Sequence, residues 1–201
     1  MQEKINEKLW KKIKPLKNIE EEDKEIYIFG IYQGLFFLLN VATTLFIGFI
    51  LNKFLESVLF LIFFIPLRIY AGGYHAKTQF RCYIMSSITT IIILYLISFL
   101  YNNIGVTSII GYIISAVVIW SAVPVENANK LLYIEEKIKY KNIVRKILYI
   151  YTGILILSYS IKWHMIFANI EAIVYFIALI LLAGIYKNQK KSNCVFAKKL
   201  D

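Results

Sequence analysis

Six apolar stretches, at about 27–51, 54–71, 82–101, 104–122, 145–161 and 165–186, make up most of this chain. Each is near the roughly 20 residues that a helix needs to cross the hydrocarbon core of a bilayer. In lipid every backbone N–H and C=O must be satisfied within the protein, so the expected form is helix. The expected fold is an all-α, polytopic membrane protein of six transmembrane helices. A soluble domain is excluded by volume. Of the 201 residues 59% are hydrophobic, the mean hydropathy is +0.61, and a chain this short has too little interior to hide such runs. Pro66, near the end of the second stretch, predicts a kink or an early stop.

Charge tests this parse. The N-terminal segment, the 68–81 connection, the 123–146 connection and the C-terminal tail hold all but two of the 23 Lys and Arg residues. The other three connections hold only Lys53 and Lys162. Under the positive-inside rule this alternation puts both termini and the 68–81 connection in the cytoplasm, and an odd number of spans would spoil it. Trp120 and Trp163 fall at expected interfaces. The net charge of +10 thus fits lipid headgroups rather than nucleic acid, for which no motif is present. No removable signal segment is expected, because charges run through about residue 25.

Three regions follow: 1–25, 26–186 and 187–201. In the first, Ile5, Leu9, Ile13 and Leu16 share one helical face, with Lys4, Lys8, Lys11, Lys12 and Lys14 around it. The pattern predicts a helix lying on the cytoplasmic leaflet, as an anchor or a guide for a membrane-bound substrate. The second is the six-helix bundle and the third a basic cytoplasmic tail. Within the bundle, Pro124-Val-Glu-Asn-Ala-Asn-Lys130 reads as a turn and cap. Residues 131–144 read as a short charged helix with Glu135 and Lys139 at paired spacing.

Chemistry concentrates between Arg68 and Cys82, in Arg-Ile-Tyr-Ala-Gly-Gly-Tyr-His-Ala-Lys-Thr-Gln-Phe-Arg-Cys. A thiol attacks as its thiolate, which positive charge or a helix N-terminus favours. Cys82 is expected to open the third span, at the positive end of its dipole, with Arg68, Lys77 and Arg81 nearby. The chain has two His and two Cys. His164 falls in an outer connection and Cys194 in the tail, so topology leaves His75 and Cys82 as one pair. On a continuous helix they would stand about 10 Å apart along the axis, too far for proton transfer. The chain must bend between them, and Gly72-Gly73 with the polar Lys77-Thr78-Gln79 allows that bend. The N–H groups of the Gly pair are also candidate donors to an oxyanion. Each feature has a plainer reading: a Gly-Gly helix end, a small apolar Cys, a snorkelling His or Arg.

Arg68-x-x-x-Gly72-Gly73-x-His75-Ala76, with Cys82 six residues on, resembles the AgrB family of quorum-sensing membrane endopeptidases. Pro124-Val-Glu126-Asn-Ala-Asn129-Lys130 is similar to a Pro/Asn/Lys pattern after that family's fourth span. The likeness covers essentially the whole chain. It implies a cysteine endopeptidase with His75 and Cys82 as the catalytic pair and Arg68 and Gly73 as further motif positions. The implied substrate is an AgrD-type propeptide with an amphipathic N-terminal helix, an internal Cys and an acidic tail. The implied course is tail release through a thioester to Cys82, then ring closure to a thiolactone, or a lactone where Ser replaces that Cys. The implied assembly is a homodimer in the lipid bilayer. No cofactor is expected, since thioester exchange is near neutral and no P-loop is present.

Glu126 and Asn127 are candidates to orient His75, against a plainer role as helix caps. Glu171, within the sixth span with Asn169, is an intramembrane acid and a functional candidate by default. It is expected toward the outer side, at an exit path or dimer contact. Lysines of 130–146 and the tail are expected to draw in an acidic peptide. Two other functions stay open: a peptide exporter without proteolysis, and a non-catalytic partner of a sensor kinase. A metal centre is disfavoured, because one His and one Cys are half a zinc site.

Overall fold

The computed structural model describes residues 24–73, 78–125 and 133–197, with side chains as far as 189. It consists of six helices: α1 (Lys24–Ile50), α2 (Phe54–Ala71), α3 (Gln79–Asn102), α4 (Val106–Ala122), α5 (Ile134–Ser160) and α6 (His164–Ala197). Five of them are long and apolar enough to cross a membrane. The sixth, α4, is apolar but has 17 residues. It is about 25 Å long against a hydrocarbon core of about 30 Å. The all-α membrane architecture read from the sequence is therefore present.

Three boundaries differ from those expected. The charged helix at 131–144 and the span at 145–161 are one helix, α5. No Gly or Pro lies between Ile134 and Thr152 to interrupt it. Its start is fixed at Tyr133, whose N–H donates to Glu136 Oε2 at 3.2 Å. The last span likewise continues to Ala197 and takes in most of the basic tail. At the other terminus Lys24 and Glu25 already belong to α1. The rest of the expected surface helix lies outside the described residues.

The chain divides into two units, Met1–Thr43 and Thr44–Asp201. In the first, α1 presents Ile26, Phe29, Leu35, Phe37 and Leu38 on its surface, as a lipid-facing helix does. In the second, α6 is the hub and packs against α2, α3, α4 and α5. Its apolar window is 61% buried, against 28% or less for the other long helices. Phe167, Ile170, Ile173, Ile177 and Leu181 are fully enclosed. Around this hub α5 contributes Val144, Leu148, Tyr151 and Leu155 at three- and four-residue spacing, one helical face.

The connections gather at two ends of this second unit. Lys53 Nζ donates to Ser98 Oγ, and Tyr101 meets His164 edge to face at 6.3 Å, at one end. Gly72, Gly73, Thr78 and Val125 lie at the other.

Candidate active site

The site is built on the last turn of α2. Gly72 and Gly73 end this helix with φ of +73° and +100°, in the left-handed region where a Cβ is strained. The chain then pairs in parallel with residues after α4. Val125 N–H donates to Ala71 O at 3.1 Å, and Gly73 N–H donates to Val125 O at 3.1 Å. This two-bond bridge ties the connection after α2 to the connection after α4. A Cβ on Gly72 would run into Val125 O. A Cβ on Gly73 would come within 2.8 Å of Ile180 Cγ2 on α6 and 3.3 Å of Arg68 Nη1.

Arg68 folds along this turn, and its Nη1 donates to Gly72 O. Its guanidinium holds a carbonyl exposed by the helix end, and the side chain is half-buried. Within its electrostatic reach lies Cys82. The thiol sits in the first turns of α3, half-buried. That helix is capped by Thr78, whose Oγ1 accepts from Arg81 N–H at 3.3 Å. Cys82 N–H donates to Thr78 O at 3.0 Å, the first bond of the helical ladder. The thiol therefore has a fixed backbone and a helix N-terminus beside it, with the half-buried Arg68 close enough to act on it electrostatically.

The structure thus gathers Arg68, Gly72, Gly73 and Cys82, four of the residues singled out in the sequence. His75 and Glu126 lie outside the described residues. One expectation changes: Gly73 N–H is engaged with Val125 O and is not a free oxyanion donor in this arrangement. Among the described residues, no three His, Cys, Asp or Glu side chains converge as a metal site would require.

Glu171 has a different setting from the exit path or dimer contact expected of it. It is fully enclosed within the second unit. Ser108 Oγ of α4 donates to its Oε1, and Tyr175 Oη stands 2.5 Å from Oε1 and 2.8 Å from Ser108 O. Gly111 faces the Tyr175 hydroxyl where a side chain would collide. This cluster joins α4 to α6. Glu171→Ala removes the acceptor shared by two buried hydroxyls and opens a cavity. The expected loss is about 2–3 kcal/mol, read as a lower unfolding temperature in detergent. Glu171→Gln, which keeps an acceptor, should lose less.

Sequence reading missed Val125, Ser108 and Tyr175. The adjacent glycines were a signal that a backbone approaches there, but not which one.

The family model of Accessory gene regulator B matches residues 2–196. An AgrB-like protein of Clostridium perfringens (strain SM101 / Type A) is 30% identical over 177 residues, 83% of either chain. AgrB-like protein 2 of Clostridium perfringens (strain 13 / Type A) is 32% identical over 165 residues, 79% of this chain and 77% of that one. No solved structure matches.

Proposed function

Because the chain belongs to the Accessory gene regulator B family, we propose that it is the cysteine endopeptidase that cleaves and cyclises an AgrD-like propeptide. Membership carries a role in the agr quorum-sensing system, a membrane setting and such a propeptide as partner. The observation that supports a thiol mechanism is the placement of Cys82 in the first turn of α3, with the Arg68 guanidinium close enough to act on it electrostatically.

In this reading His75 takes the proton from Cys82 Sγ, and the thiolate attacks the carbonyl at the junction with the propeptide's tail. The C–N bond breaks, the amine leaves with the proton returned by His75, and a thioester to Cys82 remains. The peptide's own Cys then attacks this thioester. Sγ of Cys82 is released as a thiol, and the peptide closes as a thiolactone. Arg68 supplies positive potential beside the thiolate and also fixes Gly72 O. Water must be kept from the acyl-enzyme, or hydrolysis replaces cyclisation. Packing of Ile180 against Gly73 shields one side of the site. Family resemblance implies a homodimer, and the charge alternation favours both termini and the site in the cytoplasm.

The test is incubation of the purified protein in liposomes with its cognate propeptide, followed by mass spectrometry. Release of the tail together with a product one water lighter than the linear fragment supports the full reading. A linear product alone removes cyclisation. Absence of cleavage by folded protein removes the peptidase.

A basic stretch from Lys137 to Lys146 on α5 leads into the same end of the second unit. Tyr140 of that stretch meets Tyr70 of α2 at 5.5 Å. Attraction of an acidic peptide segment there raises the capture rate. Salt shortens its range from about 30 Å at about 0.01 M to about 3 Å at about 1 M. Cleavage at limiting substrate should therefore slow as salt rises, and a salt-independent rate in detergent rejects steering.

A further inference from the structure

Pro66 interrupts the hydrogen-bond ladder of α2 two residues before Arg68. It has no N–H for Ile62 O, and its ring pushes that carbonyl away. In lipid, carbonyls loosened at a proline need a partner from a neighbouring helix. Phe63 O, the carbonyl one residue after Ile62 O, has such a partner in addition to its place in the helix. Tyr151 Oη of α5 donates to it at 2.5 Å. The two rings also meet edge to face at 5.5 Å. Tyr151 is buried, at 5% exposure, on the inward face of α5.

Beyond Pro66, the part of the site that α2 carries depends on the direction of one helical turn. Leu67 is fully buried, Arg68 reaches Gly72 O, and Gly72 and Gly73 pair with Val125. A hinge in α2 just before them would swing Arg68 relative to Cys82, which is carried separately on α3. The Tyr151 hydroxyl closes that hinge from outside.

We propose that Tyr151 is a positioning residue that locks the Pro66 break in α2 and so sets the Arg68 guanidinium against Cys82. Its effect on catalysis rests on the peptidase reading above; its effect on the thiol does not.

The experiment uses the full chain in liposomes, with Cys194→Ala leaving Cys82 as its single thiol. Tyr151→Phe keeps the ring and removes the hydroxyl. The rate of Cys82 alkylation by a maleimide is measured across pH, beside kcat and KM for propeptide cleavage. The expected result is a changed alkylation rate and displaced pH profile, with kcat lower by about tenfold to a hundredfold and KM within about twofold. The same substitution is then made with Pro66→Ala, which restores the missing N–H. There the hydroxyl should matter several-fold less, because no break remains to be locked. An unchanged alkylation profile in Tyr151→Phe overturns the proposal. So does an equal effect with and without Pro66, which is what loss of generic packing would give. If the parent protein fails to cleave but Tyr151 and Pro66 remain coupled in alkylation, the lock stands and the peptidase reading falls.

Discussion

Cys82→Ala is expected to abolish propeptide cleavage, and His75→Ala to reduce it by at least about a thousandfold. The two losses should differ in kind. Without Sγ there is no atom to carry the acyl group, so no adduct with the peptide should be trapped at any pH. Without the imidazole the thiol survives, and the reaction should recover partly at alkaline pH, where more thiolate is present. Intact-mass analysis of the protein after brief incubation separates the cases: a thioester adduct in the parent protein, none in Cys82→Ala, and a slow one in His75→Ala. A Cys82→Ala protein that still releases the tail would require another nucleophile. A protein that still moves an uncleaved peptide across the bilayer would be an exporter.

Gly72→Ala is expected to have a large effect for a single added methyl group. The backbone there, with φ +73° and ψ −140°, is in a positive-φ region essentially confined to glycine, which costs a residue with a Cβ on the order of 1–2 kcal/mol. The added carbon also meets Val125 O, so the bridge must open. Its two hydrogen bonds are worth about 1 kcal/mol each. Together these give a loss of about 3–4 kcal/mol localised at the site. Since Arg68 bonds to Gly72 O, the guanidinium should shift as well. Cleavage should fall below detection while the helices stay inserted. Unfolding followed by a thiol-reactive dye on Cys82 would show the site opening before the bundle melts. An Ala variant with normal cleavage would mean that the bridge has no part in the site.

Much of this was readable from the chain, for specific reasons. The apolar runs fix the helices because lipid admits no other backbone solution, and Asn-Lys and Lys-Trp junctions at 52–53 and 162–163 mark their ends. The Gly72-Gly73 pair announces a helix end with positive φ, and both angles are positive. Charge suggests a boundary at 144–145, yet α5 runs unbroken through it. Lysines at a membrane surface do not stop a helix; their long stems let them continue it. The bridge at Val125 could not be read, because a two-residue pairing has no periodicity and its partners are over fifty positions apart. Ser108 and Tyr175 escaped for a similar reason. Only Glu171 looked unusual in lipid, and the hydroxyls that meet it are ordinary residues elsewhere.

The hub helix also has a consequence in time. Because α6 follows the other helices in the chain, the ribosome delivers the centre of the second unit after the elements that surround it. Until it arrives, the faces that the earlier helices turn toward α6 have no partner from it. Arg68, the glycines and Cys82 are all synthesised before Ile180, which packs on Gly73. The thiol therefore meets its finished surroundings only after α6 has been made. A nascent protein stalled before α6 would carry the reactive residues without the architecture that directs them.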